Sequence, residues 1–193
     1  MIRFPPPPTH TDPVTFSQAL DQTRFDPQWL KWFVDLGVKV QTIGWGYGVF
    51  SDTTSQAPAV INTAYPITMD TTDQSRDVSL GVPTSRVLVG VKGIFNFQFS
   101  LQITTSSGTH KSVYIWPRVN GVDVPNSASK FTLDNNNGEV VPSWNFILPM
   151  TGGDYFELMW AASSTAVLIE SIAATAFCPA IPSVILTVTQ VNQ

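Results

Sequence analysis

Apolar and polar positions alternate strictly over residues 93–103. Phe95, Phe97, Phe99, Leu101 and Ile103 fall on one side; Asn96, Gln98, Ser100 and Gln102 fall on the other. A period of two is the mark of a strand buried on one face. Shorter runs of β-branched and aromatic residues predict further strands at 49–52, 65–69, 78–81, 86–89, 113–119, 130–133, 144–148, 155–160, 166–170 and 184–191. Turn-forming clusters divide them, notably Ser106-Ser107-Gly108, Asn120-Gly121, Asn135-Asn136-Asn137-Gly138 and Gly152-Gly153-Asp154. About ten short strands separated by such turns predict an antiparallel sandwich or barrel, not a parallel sheet. No self-similarity at about 20–50 residues points to a propeller or solenoid.

Two runs depart from one-sided burial. In Tyr155-Phe156-Glu157-Leu158-Met159-Trp160 apolar residues occupy both faces, and Val184-Ile185-Leu186-Thr187-Val188-Thr189 carries no charge on either. A sheet in a small sandwich normally shows one face to water. These strands are therefore expected to meet another subunit, with Tyr155, Leu158, Trp160, Ile185 and Thr187 as candidate interface residues.

The N-terminal part has a different texture. Pro5, Pro6, Pro7 and Pro8 favour a polyproline II conformation, and Asp12-Pro13 and Asp26-Pro27 punctuate an extended arm. One short helix is expected over residues 26–37, with Asp26 as N-cap, Pro27 at the first helical position and Gly37 as the stop. Trp29, Trp32, Phe33 and Leu36 recur at i, i+3, i+4 and i+7 as one apolar stripe, widened by Leu30 and Val34. Such a stripe either packs on its own domain or docks a partner. Three large aromatics beside a proline-rich arm favour docking. Residues 1–44 thus read as an attachment arm and 45–193 as the sandwich domain, with Gly44-Trp45-Gly46-Tyr47-Gly48 as a flexible joint.

Composition narrows the function. The chain has 193 residues, of which 43% are apolar and only 12% charged. Low charge with this much apolar content argues against disorder and for a surface partly covered by a partner. The net charge is −4, and the 10 Lys and Arg are scattered, so no basic face for nucleic acid is expected. No stretch approaches the apolar length of a membrane span. The start lacks the apolar core of a secretory signal, so synthesis in a cytoplasm without export by that route is expected. One cysteine, Cys178, excludes an internal disulfide and reads as a small buried apolar residue.

Catalytic and metal-binding patterns are not found. His10 and His110 read as exposed loop residues, far from any zinc-ligand spacing. No Walker loop and no Gly-x-Ser-x-Gly elbow occurs. Asp70, Asp73 and Asp77 lie close in sequence, as do Asp134 and Glu139. Either group could offer oxygens to calcium, but neither matches a standard loop. No cofactor, no metal and no enzymatic activity are expected.

Five blocks in order along the chain resemble the jelly roll shared by the complement C1q globular head and the tumour necrosis factor group. They are Gly48-Val49-Phe50-Ser51, Gly93-Ile94-Phe95-Asn96-Phe97-Gln98-Phe99-Ser100, Trp116-Pro117-Arg118-Val119-Asn120-Gly121, Gly153-Asp154-Tyr155-Phe156-Glu157-Leu158, and the closing block 181–191. The resemblance spans about residues 45–192 and implies a ten-stranded jelly roll that forms a tight trimer.

The whole chain also resembles small virion proteins of tailed phages, especially those of cyanobacteria and other aquatic bacteria. Ala64-Tyr65-Pro66, Pro125-Asn126-Ser127, Ser143-Trp144-Asn145-Phe146 and Pro179-Ala180-Ile181-Pro182-Ser183-Val184-Ile185 carry this likeness. Phe25-Asp26-Pro27-Gln28-Trp29-Leu30-Lys31-Trp32-Phe33 extends it into the arm. It implies a trimeric knob, fibre or decoration protein, assembled in a bacterial cytoplasm and anchored to capsid, portal collar or tail through the arm. The alternative expectation is a host-receptor or glycan-binding module on a head or tail fibre.

Overall fold

A computed structural model describes residues 17–19, 22–24, 27–41 and 45–192, apart from 107, 109 and 135. Pro5 to Pro8, His10, Asp26 and Gly44 lie outside the described residues. The chain divides into two units, Met1–Gly44 and Trp45–Gln193.

In the first unit, β1 (Ser17–Ala19) and β2 (Gln22–Arg24) pair antiparallel, and α1 (Pro27–Gln41) follows. Pro27 opens the helix, where its missing N–H leaves no intrahelical bond unmade. The helix does not stop at Gly37, as expected, but runs on to Gln41. A glycine inside a helix costs about 1 kcal/mol relative to alanine, which neighbouring turns can outweigh. It ends a helix only where the chain turns left-handed, and Gly37 does not.

The second unit is all β. Its strands are β3 (Tyr47–Asp52), β4 (Tyr65–Pro66), β5 (Thr71–Arg76), β6 (Val78–Leu80), β7 (Val87–Val89) and β8 (Gly93–Leu101). Then come β9 (Ile103–Thr105), β10 (Lys111–Val119), β11 (Val122–Asp123), β12 (Ser129–Leu133) and β13 (Glu139–Val140). The last are β14 (Ser143–Met150), β15 (Tyr155–Ala162), β16 (Val167–Ile169) and β17 (Val184–Asn192).

One sheet has the order β14-β8-β17-β3-β5. The second runs β11-β10-β15-β7-β6, with β12 added to β10 and β4 to β15. A short sheet, β13-β9-β16, closes one end. The chain alternates between the two main sheets: β3 in the first, β7 in the second, then β8, β10, β14, β15 and β17 in turn. Every described pairing is antiparallel. That wrapping makes the domain a jelly-roll sandwich.

The core lies between the sheets. Phe95, Phe97, Phe99 and Leu101, the apolar face of β8, are at most 1% exposed. Phe97 stacks on Phe156 of the opposite sheet, with ring centroids 4.1 Å apart and planes 10° from parallel. Phe50, Val87, Ile115, Leu158, Trp160 and Leu186 complete this layer.

Three expectations change here. The second face of β15 is covered by the chain itself. Leu158, Met159, Trp160 and Ala162 are all at most 1% exposed in a single copy. The strand is paired along both edges, by β10 on one side and by β7 and β4 on the other. Leu158 and Trp160 therefore have no surface left for another subunit, and Tyr155 sits half-buried under the guanidinium of Arg86, 4.4 Å from its ring centroid.

Gly46 and Gly48 are not a loose joint. The Gly46 N–H donates to Gln190 Oε1 at 2.8 Å. A Cβ at Gly48 would lie 2.5 Å from the Phe50 ring, so the missing side chain lets the core aromatic pack against the backbone. Cys178 is not in the core either. It is half-buried in a surface turn, where its N–H donates to Thr175 Oγ1 at 3.1 Å.

Candidate functional site

The two sheets show solvent very different outer faces. In the first sheet, cross-strand registers line up Asn145, Gln98, Thr187 and Val49 in one row, and Ile147, Asn96, Thr189 and Tyr47 in the next. No Asp, Glu, Lys or Arg stands on the outer face of β14, β8, β17 or β3. Ile147 is 61% exposed, Ile185 39% and Ile94 37%. Charges enter only at the edge strand β5, with Asp73 and Arg76. On the second sheet the outer face carries Arg118, Asp123 and Lys130, and is an ordinary solvated surface in charge.

Of the expected interface residues, Ile185 and Thr187 lie on the uncharged face, where Thr187 is half-buried. Tyr155, Leu158 and Trp160 belong to the other sheet and point elsewhere, so the five do not form one patch.

The loop between β16 and β17 prolongs the uncharged surface. Backbone bridges between Ile172 and Ile181 pinch it into a hairpin, and its tip residue Phe177 is 91% exposed. Ile172 and Ile181 share a surface groove with Ser51 and Thr71 of the sheet face. This tip was missed in sequence because it has no periodicity; the signal was the charge-free run 171–182.

The helix α1 holds its aromatic stripe as one cluster. Ring centroids of Trp29 and Trp32 are 5.6 Å apart, Trp32 and Phe33 5.1 Å, and Trp29 and Phe33 6.0 Å. Trp29, Trp32 and Leu36 are half-buried, while Phe33, Leu30 and Val34 are exposed at 42%, 52% and 56%. The polar side is tied by Lys31 and Asp35, 2.9 Å apart at i, i+4.

The carboxylates are occupied by neighbours. Asp52, 1% exposed, accepts from the Thr54 N–H and hydroxyl on Oδ1 and from Gln56 and the Thr68 hydroxyl on Oδ2. Asp70 accepts from Thr53 and Thr71. Partial burial pushes its pKa up, but these hydrogen bonds prevail and hold it below the usual carboxylate range. Asp73 accepts from Ser51, and Asp77 pairs with Arg76 in a left-handed turn. Asp134 faces the exposed His110 at 3.0 Å, while Glu139 lies on a separate strand. Among the described residues no group of three or more His, Cys, Asp or Glu is placed to hold a metal ion. No helix among them is long and apolar enough to cross a membrane.

No protein-family profile matches the chain, and no curated protein matches it in sequence. Solved structures do resemble it. The globular domain of zebrafish complement 1qA aligns over 77% of this chain and 98% of its own length, at 11% identity and a TM-score of 0.47. Murine APRIL aligns over 77% of this chain and 100% of its own, at 7% identity and a TM-score of 0.49. The jelly-roll reading of the second unit rests on its own sheet order and antiparallel pairing.

Proposed function

We propose that the protein is a structural component of a tailed-phage particle, a homotrimeric jelly-roll knob joined to capsid, collar or tail through residues 1–44. The observation that carries self-association is the uncharged outer face of the β14-β8-β17-β3 sheet. Water-facing sheet surfaces are normally studded with charge, and exposed apolar ground without it marks an interaction site. The trimer number comes from the jelly-roll resemblance, and the virion setting from the likeness of both arm and domain to phage virion proteins.

The arm supplies attachment. Its prolines restrict the unbound chain, so docking orders it at a smaller entropic loss. The Trp29, Trp32 and Phe33 cluster provides the large aromatics that often anchor interfaces. Three arms on one trimer act together, so individually weak contacts sum to firm attachment.

Deleting residues 1–44 tests the assignment. The truncated chain is expected to stay folded and trimeric and to be missing from purified particles. Incorporation at normal copy number would refute the role of the arm.

A further inference from the structure

The second sheet carries a groove that the assembly role does not use. Tyr114 and Trp116 stand two residues apart on the outward side of β10, about 6.6 Å apart along the strand. Directly across from Tyr114 on β15 is Ala161, whose methyl leaves the space above the rings open. The turn between β11 and β12 forms the far wall, with Asn126 in a left-handed conformation and the Ser127 hydroxyl bonded to the Val124 carbonyl at 2.6 Å. The groove is open to solvent and has a volume of about 650 Å³, within the range of small-molecule sites.

One polar group in the groove is only half used. Asp123 accepts from Trp116 Nε1 at 2.8 Å and from Arg118 Nε at 2.7 Å, and both donors converge on Oδ1. No hydrogen bond from the described residues reaches Oδ2. The first bond also fixes the Trp116 ring in place, and the two together, with Arg118 the larger cause, hold the Asp123 pKa below the usual carboxylate range. The groove thus presents two aromatic side chains, Trp116 held by its hydrogen bond, and a free carboxylate oxygen that accepts hydrogen bonds.

The charges narrow the ligand. Asp123 is already paired with Arg118, and Lys130 sits 5.7 Å from the Tyr114 ring centroid. A quaternary ammonium, which is held by the faces of an aromatic cage, is not favoured, because the Lys130 ammonium already stands over the Tyr114 ring. An anion would meet the free carboxylate oxygen. A proline-rich segment presents carbonyl acceptors and few donors, and Oδ2 asks for a donor. We propose that this groove binds a neutral saccharide, with C–H faces on Tyr114 and Trp116 and a hydroxyl donating to Asp123 Oδ2. The inference goes beyond the assembly role. Because the groove lies on the opposite sheet from the uncharged face, three copies would remain open in a trimer, and avidity would raise weak single-site binding.

The test is saturation-transfer NMR on the full chain with the methyl glycosides of glucose, galactose, mannose and N-acetylglucosamine, each at about 20 mM, a level that reveals Kd values near 1 mM. At least one is expected to bind, and Trp116→Ala and Asp123→Ala are each expected to weaken it about tenfold or more. Ala128→Trp, at an exposed position on the groove wall, should block binding without removing any native contact, which covers the case where Trp116→Ala fails to fold. Silence from all four glycosides overturns the proposal. So does binding unchanged in all three variants, or occupation of the groove by tetramethylammonium or by a synthetic peptide of residues 1–13 instead. Light scattering on the same samples keeps the two ideas apart: a trimer that binds no sugar sinks only this site, and a monomer that binds sugar sinks only the assembly reading.

Discussion

Replacing Ile185 by Lys should break the proposed trimer while leaving the fold intact. Ile185 is 39% exposed at the centre of the uncharged sheet, beside Ser100 of β8 and Ser51 of β3. Burying a whole isoleucine side chain is worth about 1.5–3 kcal/mol. Scaled by their exposed fractions, Ile94, Ile147 and Ile185 hold about 2–4 kcal/mol per chain in reserve for an interface that covers them. Three chains then supply about 6–12 kcal/mol from isoleucine alone. The substitution removes one of these contributions per chain. It also brings three ammonium groups into a closed interface, each with a desolvation penalty of several kcal/mol. In the isolated chain a lysine at a position this exposed can lay its stem on the sheet and keep its charge in water. If the proposed trimer is held by this face, light scattering after size exclusion at about 10 µM should fall from three chains to one. The melting temperature of the isolated domain should barely move. A variant that keeps the mass of three chains would show that this face is not the interface.

Phe97→Ala should destabilise the domain by about 3–5 kcal/mol, because it removes a fully buried ring and its stacking partner on Phe156 and leaves a cavity between the sheets; chemical denaturation reads this directly, and a loss under about 1 kcal/mol would contradict the packing described. Acid should also weaken the fold through Asp70 and Asp123. Both have folded pKa values below the ordinary one, so the stability they add is complete above the unfolded value of about 3.9 and disappears as pH falls through the lowered folded values. The double variant Asp70→Asn, Asp123→Asn should show a shallower loss of melting temperature between about pH 4 and pH 2; an unchanged slope would remove these carboxylates from the account.

The strands that were legible in sequence were those with a strong inside–outside alternation. β8 is the clearest, because each Phe of its inward face is matched by a polar neighbour on the other. β5 (Thr71–Arg76) was not legible. Its six residues are Thr, Thr, Asp, Gln, Ser and Arg, so an exposed edge strand has no apolar side to announce it. β9, β11 and β13 were too short to show a period.

The site was legible in part. The uncharged run of β17 was legible as such, and the residues that share its face, Ile147 and Ile94, are brought there by the pairing of β8 with β14 and β17 and could not be placed from their own segments. The apolar richness of β15 was misread as a subunit contact. A strand buried within one chain and a strand buried between chains have the same sequence pattern, and only the neighbours along its edges distinguish them. The groove at Asp123 was invisible for a related reason. Tyr114, Trp116 and Asp123 are close in sequence, but Ala161, which leaves the groove open, arrives from β15.

The solution molar mass of the purified full-length chain tests the central claim most directly. Light scattering after size exclusion should return three times the 21.1 kDa of one chain, the mass of the proposed trimer closed over the uncharged sheet face. A stable monomer across the whole concentration range would contradict the account, since Ile94, Ile147 and Ile185 would then face water with nothing to cover them.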